Sequence, residues 1–364
     1  MKIKEVISYL DSIAPPQLQE SYDNSGLIVG DSDKEITGVL ISLDCLEAVV
    51  DEAIALGYNL VVAHHPIVFG GLKRFTGKNY IERTVIKAIK NDIALYAIHT
   101  NLDNMSDGVN HEIGKRLGMK SMSILRPMSG ILEKLAVFIP ETHAEKLRLS
   151  LFDAGAGAIG NYSQCSFNSS GTGTFTPNEV ANPVIGERGK HENVKEVKVE
   201  VVFPQWKRGK VLSAMNANHP YEVVAHDILV LANQNEEFGA GMLGELEKEM
   251  AIEDFAALVK ENMQLELIKS TKFVKSSVRR VAWCGGSGSF LLEDAIRAKA
   301  DVFISADFKY HQYFDADEHI LIFDIGHYES EQFTSDLLSV RLKEKFANFA
   351  VRLSEIKTNP IKFI

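Results

Sequence analysis

The sequence predicts an α/β protein: a duplicated three-layer α/β domain, residues 1–126 and 236–364, interrupted by a ferredoxin-like α+β unit at residues 127–235. Three observations carry this. Apolar β-branched runs alternate with amphipathic stretches on both sides of the interruption, the order of a parallel sheet covered by helices. Inside the interruption the order is strand-helix-strand twice over, the split βαβ pattern. Two of the outer segments also match each other without a gap.

In chain order, Ile3, Val6, Ile7 and Leu10 fall at helical spacing, and Pro15-Pro16 end that helix. SYDNSGLIVGD is turn-rich and leads into a short strand; residues 36–44 form the next. Residues 45–57 form a helix with Gly57 at its C-terminal end. LVVA, residues 60–63, is a short buried strand running into His64-His65-Pro66, where proline holds His65 extended. IVFGGLKRFTG is a loop, YIERTVIKAIKND a helix, and IALYAIHTNLDN a third strand whose far end carries His99 and Asp103. SDGVNHEIGKRLG is a capped helix.

Within the interruption, LEKLAVFIP is a strand and ETHAEKLRLSLFDAGAG a helix. A Gly/Ser/Asn/Thr-rich region with little core potential covers residues 160–193. VKEVKVEVVFP, QWKRGKVLSAMNANHP and EVVAHDILVLAN then read strand, helix, strand. Beyond it, VRRVAWCGGSGSFLLEDAIRAKADVFISADFKYH is strand, glycine turn, helix, strand. HILIFDIGHYESEQF is a strand entering a helix. The LLSVRLKEKF helix and the FAVRLS strand follow.

Composition narrows the class. With 364 residues and 45% hydrophobic content, the chain can bury a large core. A net charge of −10 argues against a nucleic-acid partner held by bulk charge. No apolar run is long enough to span a bilayer, and the N-terminus is not a signal peptide. Cys45, Cys165 and Cys284 are scattered with no CxxC, which fits a reducing cytoplasm and excludes a thiolate metal site.

The repeat aligns Asp51–His65 with Glu293–Asp307, placing His65 on Asp307. HTNLD, with His99 and Asp103, then lies over HYESE, with His327 and Glu331. Any two βαβ units share the helix-strand part. The twice-repeated His-x-x-x-carboxylate points further, to two half-domains whose strand ends meet in one crevice. Ligands of open α/β sheets bind at such ends.

That crevice gathers His64, His65, His99, Asp103, His327 and Glu331. Neighbouring side chains on a strand point to opposite faces, so His64 and His65 fit two different ions better than one. The alternative is one hydrogen-bonded and one exposed histidine. A two-ion site needs terminal imidazoles and carboxylates that bridge ions about 3.5–4 Å apart. Asp103 and Glu331 suit the bridge; His64, His65 and His327 suit the terminal positions. The N/O donor set favours Zn, Mn, Fe or Co. His99 is a second-layer orienter or a general acid/base. Glu329 points elsewhere on helical spacing and is expected in solvent. Gly285, Gly286 and Gly288 read as a tight turn, with a phosphate cradle as the rival. Lys73 and Arg74 are exposed loop charges or contacts for an anionic substrate.

His64-His65-Pro66, HTNLD and GHYESE together resemble the Nif-three-like family, also called GTP cyclohydrolase I type-two homologues. YDNSGLIVG, FGGLKRFTG and GAGMLGEL resemble that family's segments too. The middle unit resembles the PII/CutA-like insertion of its longer members. The resemblance implies a dinuclear metal centre in a cytoplasmic homohexameric toroid. By position it gives one ion to His64 and His327, the other to His65 and Asp103, and both to Glu331. ISADFKYH departs from the family pattern, with Ser305-Ala306-Asp307 where Thr-Gly-acid is frequent, which leaves Asp307 and His311 without an assigned role. The expected function is a metal-dependent hydrolase acting on a nucleotide, phosphoester or cyclic amide. The alternative is a non-catalytic metal-binding scaffold or regulatory protein.

Overall fold

The computed structural model describes residues 1–364, which divide into two compact units: residues 1–127 with 236–364, and residues 128–235. The first unit holds two sheets. One has the order Gly26–Val29, Ala94–Ala97, Leu60–Ala63, Val39–Ser42, Val351–Leu353. Its last four strands run parallel, and Gly26–Val29 is antiparallel at the edge. The other has the order Lys269–Ser270, Leu321–Asp324, Val302–Ala306, Ser277–Ser287, Gln234–Ala251, Lys120–Ser129. It has three parallel strands, Ser277–Ser287, Val302–Ala306 and Leu321–Asp324, flanked by antiparallel Lys269–Ser270 at the edge and antiparallel Gln234–Ala251 on the other side.

Strand alternation builds the layers. Leu60 and Val62 face a core shared with Val281, Trp283, Ile304 and Phe323 of the second sheet. Helices Ile3–Ile13, Val109–Arg116, Ile252–Asn262 and Thr334–Lys345 add to this central layer. Val61 and Ala63 face the other way, onto helices Glu47–Leu56 and Tyr80–Lys90. The outer face of the second sheet packs Phe303 and Ile322 on helix Leu292–Arg297. The central strands are buried on both faces, which is why they read as unbroken apolar runs.

The second unit is a four-stranded antiparallel sheet with helices Ala144–Asp153 and Arg208–Asn218. Its strand order is Phe167–Phe175, Glu192–Pro204, Leu132–Pro140, His226–Leu231. Leu135, Val137, Val199, Val201 and Phe203 pack with Leu147, Leu151, Val211 and Met215 of the helices.

Several elements differ from expectation. Thr100–Asp103 is a short helix, not the end of a strand. Helix Val109–Arg116 opens at Gly108 with no side-chain cap. The Gly/Ser-rich region contributes strand Phe167–Phe175, largely exposed and held by its ladder to Glu192–Pro204. No helix is long and apolar enough to cross a membrane.

Candidate metal centre

The three histidines sit just past the ends of parallel strands, where the ladder stops and side chains turn into the crevice. His64 and His65 follow Leu60–Ala63; His327 follows Leu321–Asp324 and opens helix His327–Glu331. Asp103 ends helix Thr100–Asp103, which follows strand Ala94–Ala97. The i,i+4 spacing puts His327 and Glu331 on one helix face.

Each histidine is fixed through Nδ1. His64 Nδ1 donates to the Ile98 carbonyl at 2.8 Å. His65 Nδ1 meets Asp44 Oδ1 at 2.8 Å, and His327 Nδ1 meets Asp307 Oδ2 at 2.6 Å. These contacts leave all three Nε2 atoms facing the crevice, the orientation that outer partners give to metal-binding imidazoles.

Glu331 is the common member. Its Oε2 lies 2.9 Å from His65 Nε2 and 3.1 Å from His327 Nε2. Its Oε1 lies 3.9 Å from His64 Nε2, which is 3.6 Å from Asp103 Oδ1. Three donor groups result: His65, His327 and Glu331; His64, Asp103 and Glu331; and His64, His65 and His99, so that Glu331 is common to the two that contain a carboxylate. His64 Nε2 and Asp103 Oδ1 are buried and have no hydrogen-bond partner. Buried polar atoms are rarely left so, and N and O donors converging on a gap fit a divalent ion. The grouping differs from the one implied by resemblance. By distance, His65 lies with His327 and His64 with Asp103.

Charge in the metal-free protein follows from burial and pairing. Burial opposes a charged His65, but Asp44 and Glu331 overcome it and raise the imidazole to about 9. Burial likewise opposes His327, and Asp307 and Glu331 raise it to about 11. Burial, with the Glu331 charge, pushes Asp103 up to about 8. Burial would also raise Glu331, yet its close contacts with His327 and His65 and the nearby His64 imidazole hold it well below the usual carboxylate range.

His99 lies at the edge of this cluster. Its ring stands 5.2 Å from that of His64 and 5.3 Å from that of His65. Its Nδ1 meets Asp23 Oδ1 at 2.7 Å. Asp23 also accepts from the backbone N–H groups of Asn24 and Thr100 and from the hydroxyls of Ser25 and Thr100. Burial opposes the Asp23 charge, but these bonds keep it ionised far below the normal range.

The centre opens into a cleft of about 500 Å³ bordered by Tyr22, Phe69, Tyr80, Phe290 and Tyr328. Lys73, Arg74 and His311 are exposed and do not border it. Gly285 and Gly286 lie in strand Ser277–Ser287, not in a tight turn: a Cβ on Gly286 would lie 2.3 Å from Glu331 Oε1, and one on Gly285 3.3 Å from Glu331 Cγ. These two make room for the shared carboxylate, while Gly288 lies against Ser305 and Cys284. Glu329 is not in solvent: it is buried and accepts from Asn359 Nδ2 at 2.8 Å. Sequence reasoning passed over Asp44 and Asp23, and it left Asp307 without a role. Asp44 stands at the end of a strand, as His64 does, and that position was the available signal.

The sequence pattern of Duf34/NIF3 (NGG1p interacting factor 3) matches residues 1–360. A Halalkalibacterium halodurans protein named GTP cyclohydrolase 1 type 2 homolog is 40% identical, covering 99% of this chain and 98% of its own. A Bacillus subtilis protein of the same name is 38% identical, again over 99% and 98%. The crystal structure of a Bacillus cereus protein related to NIF3 superposes with a TM-score of 0.87 at 38% identity, covering 100% of this chain and 99% of that one. Staphylococcus aureus SA1388 superposes with a TM-score of 0.79 at 32% identity, with the same coverage. This chain therefore belongs to the NIF3 family.

Proposed function

We propose that this protein is a dinuclear metal-dependent hydrolase. The observation that carries the reading is Glu331, whose two oxygens face two separate donor groups. His65 and His327 would hold one ion and His64 and Asp103 the other, with Glu331 available to both. Two such ions supply Lewis acidity, lowering the pKa of water and polarising a carbonyl or phosphoryl oxygen. The donor set suits Zn, Mn, Fe or Co. His99, oriented through Asp23, presents Nε2 toward the cleft and is the group to move a proton. The substrate is a nucleotide, phosphoester or cyclic amide that fits beside the aromatic border. The names of the relatives make a purine-ring C–N bond one member of that set.

The first unit is read as two duplicated halves, supported by the recurrence of three parallel strands beside an antiparallel edge. The second unit is read as a ferredoxin-like, PII/CutA-like insertion, supported by its strand order. The assembly is read as a homohexameric toroid on family resemblance.

The test loads wild type and Glu331→Gln with each of the four metals. Metal content is measured, and hydrolysis is followed over nucleotides, phosphoesters and cyclic amides. Two ions per chain and turnover of one substrate class, both lost in the variant, support the hydrolase. Two ions with no turnover by any metal form leave a metal-binding scaffold in its place.

A further inference from the structure

The chain's last segment does more than follow the final strand. Val351–Leu353 pairs in parallel with Val39–Ser42, Val351 opposite Val39 and Leu353 opposite Ile41. Parallel pairing makes both strands leave the sheet at the same end, and that end holds His64, His65 and Asp44. Residue 354 onward is thus delivered to the rim of the metal centre. Its exit is pinned: Ser354 N–H donates to the Ile41 carbonyl, and the Ser354 hydroxyl and Glu355 N–H both donate to Glu52.

Two side chains then reach in. The buried Thr358 hydroxyl donates to Asp44 Oδ2 at 2.5 Å, while Asp44 Oδ1 holds His65 Nδ1 at 2.8 Å. One residue on, Asn359 Nδ2 donates to Glu329 Oε1 at 2.8 Å. Glu329 belongs to helix His327–Glu331, which carries the other ligands of the same donor group. Asn359, Pro360 and Ile361 also border the cleft.

We infer that residues 354–361 are a strap that positions the His65–His327–Glu331 group, gripping His65 through a Thr358–Asp44–His65 chain and the His327–Glu331 helix through Asn359 and Glu329. Thr358 and Asn359 are positioning residues: neither belongs to a donor group. The two grips come from consecutive residues and land on the two elements that supply this group. The His64–Asp103 pair has no such tie, since His64 is held by the Ile98 carbonyl and Asp103 by its own helix. This inference rests on the two-ion reading for its metal consequence, but the Thr358–Asp44–His65 chain exists without metal.

The experiment compares wild type with Thr358→Val, Thr358→Ser and Asn359→Leu in the full chain. In metal-free protein, the His65 Nδ1 proton is followed by NMR. Cobalt is then titrated against a chelator, and the affinities of the two ions are resolved. Outer partners of metal ligands are worth about 10- to 100-fold in affinity, so a group one step further out should cost about three- to tenfold. Thr358→Val should broaden the His65 Nδ1 proton and weaken one ion by that factor while sparing the other, and Thr358→Ser should restore both. Asn359→Leu should weaken the same ion without touching the His65 resonance.

An unchanged His65 resonance together with unchanged affinities in Thr358→Val overturns the strap. Equal weakening of both ions overturns it as well, since that is general destabilisation. If wild type takes up fewer than two ions, the two-ion reading falls, and the NMR comparison alone decides the strap.

Discussion

At Gly286 the backbone enters the left-handed region, φ +61°, and the missing side chain leaves the space that Glu331 fills. Alanine there would carry a conformational cost of about 1–2 kcal/mol and displace the shared carboxylate. Gly286→Ala is expected to lower uptake of both ions, because Glu331 belongs to both groups. Metal analysis after equilibrium dialysis checks it; two tightly held ions in the variant would contradict the close-packing account. Protons compete for the same centre. In the metal-free protein His65 titrates near 9 and His327 near 11, both above the unfolded value of about 6.5. Their contribution to metal-free stability is full below that value and is lost as pH rises through 9 and then 11. Metal uptake has the opposite sign, since binding requires neutral imidazoles. Apparent affinity at the His65–His327 group should climb more than tenfold per pH unit between pH 7 and 9, since about two protons are displaced there. A chelator competition series giving a flat profile would remove this assignment. The residues that converge here were legible because they lie beside strand ends in a repeated His-x-x-x-acid pattern. Thr358 and Asn359 were not, since they act through hydrogen bonds made from the far end of the chain. Glu329 was misread for the same reason: helical spacing turns it from the crevice, and only the returning segment reveals what covers it.

Among the elements, the buried parallel strands were legible and the long strand Gln234–Ala251 was not. Its GAGMLGELEKEM run is rich in glycine and acid, types depleted from strands. Trp283 supplies the missing reason. A Cβ on Gly244 would lie 3.0 Å from the indole, so the strand is thin where the ring lies against it. Gly114, on helix Val109–Arg116, is thin for the same ring, with a would-be Cβ 2.4 Å from Trp283 and 2.5 Å from the Met122 sulfur. The indole N–H also donates to the Asn110 carbonyl at 2.7 Å, so the ring cannot swing aside freely. Two effects oppose each other in Gly114→Ala. Helix propensity favours alanine by about 1 kcal/mol, whereas overpacking a rigid core costs about 1–3 kcal/mol. With contacts this short on a fully buried ring, overpacking should win. The variant is expected to be less stable by about 1–2 kcal/mol, read from the urea midpoint at unchanged m-value. A midpoint above wild type would mean the ring yields more easily than its hydrogen bond implies. The same balance explains why propensity alone could not find these elements: a partner distant in sequence decides them.

For the whole molecule, the question is whether the centre needs residues 128–235. The ligand residues His64, His65, Asp103, His327 and Glu331, and their partners Asp23, Asp44, Asp307 and Thr358, all lie in the first unit. The chain leaves that unit after strand Lys120–Ser129 and returns in strand Gln234–Ala251, and these two strands are neighbours in one sheet. Exit and return are therefore close, and a short turn can join them; closing a short loop costs little entropy beside the apolar area buried in the two-sheet core. The second unit has its own core of Leu135, Val137, Val199, Val201 and Phe203 against two helices, and the first unit's central layer is built from its own residues. In the sequence a change in element order marks the expected boundary, because each unit must bury its own apolar faces and so carries its own pattern. Replacing residues 128–235 by a short Gly-Ser turn is accordingly expected to leave a folded protein that takes up as many ions as the intact chain, at affinities within about threefold, the scatter to be expected when distant sites act independently. Metal analysis and calorimetry of the excised chain decide it. Loss of one ion alone, with folding intact, would mean that the second unit reaches the centre through the strands that connect it, and the middle of the chain would then count as part of the site.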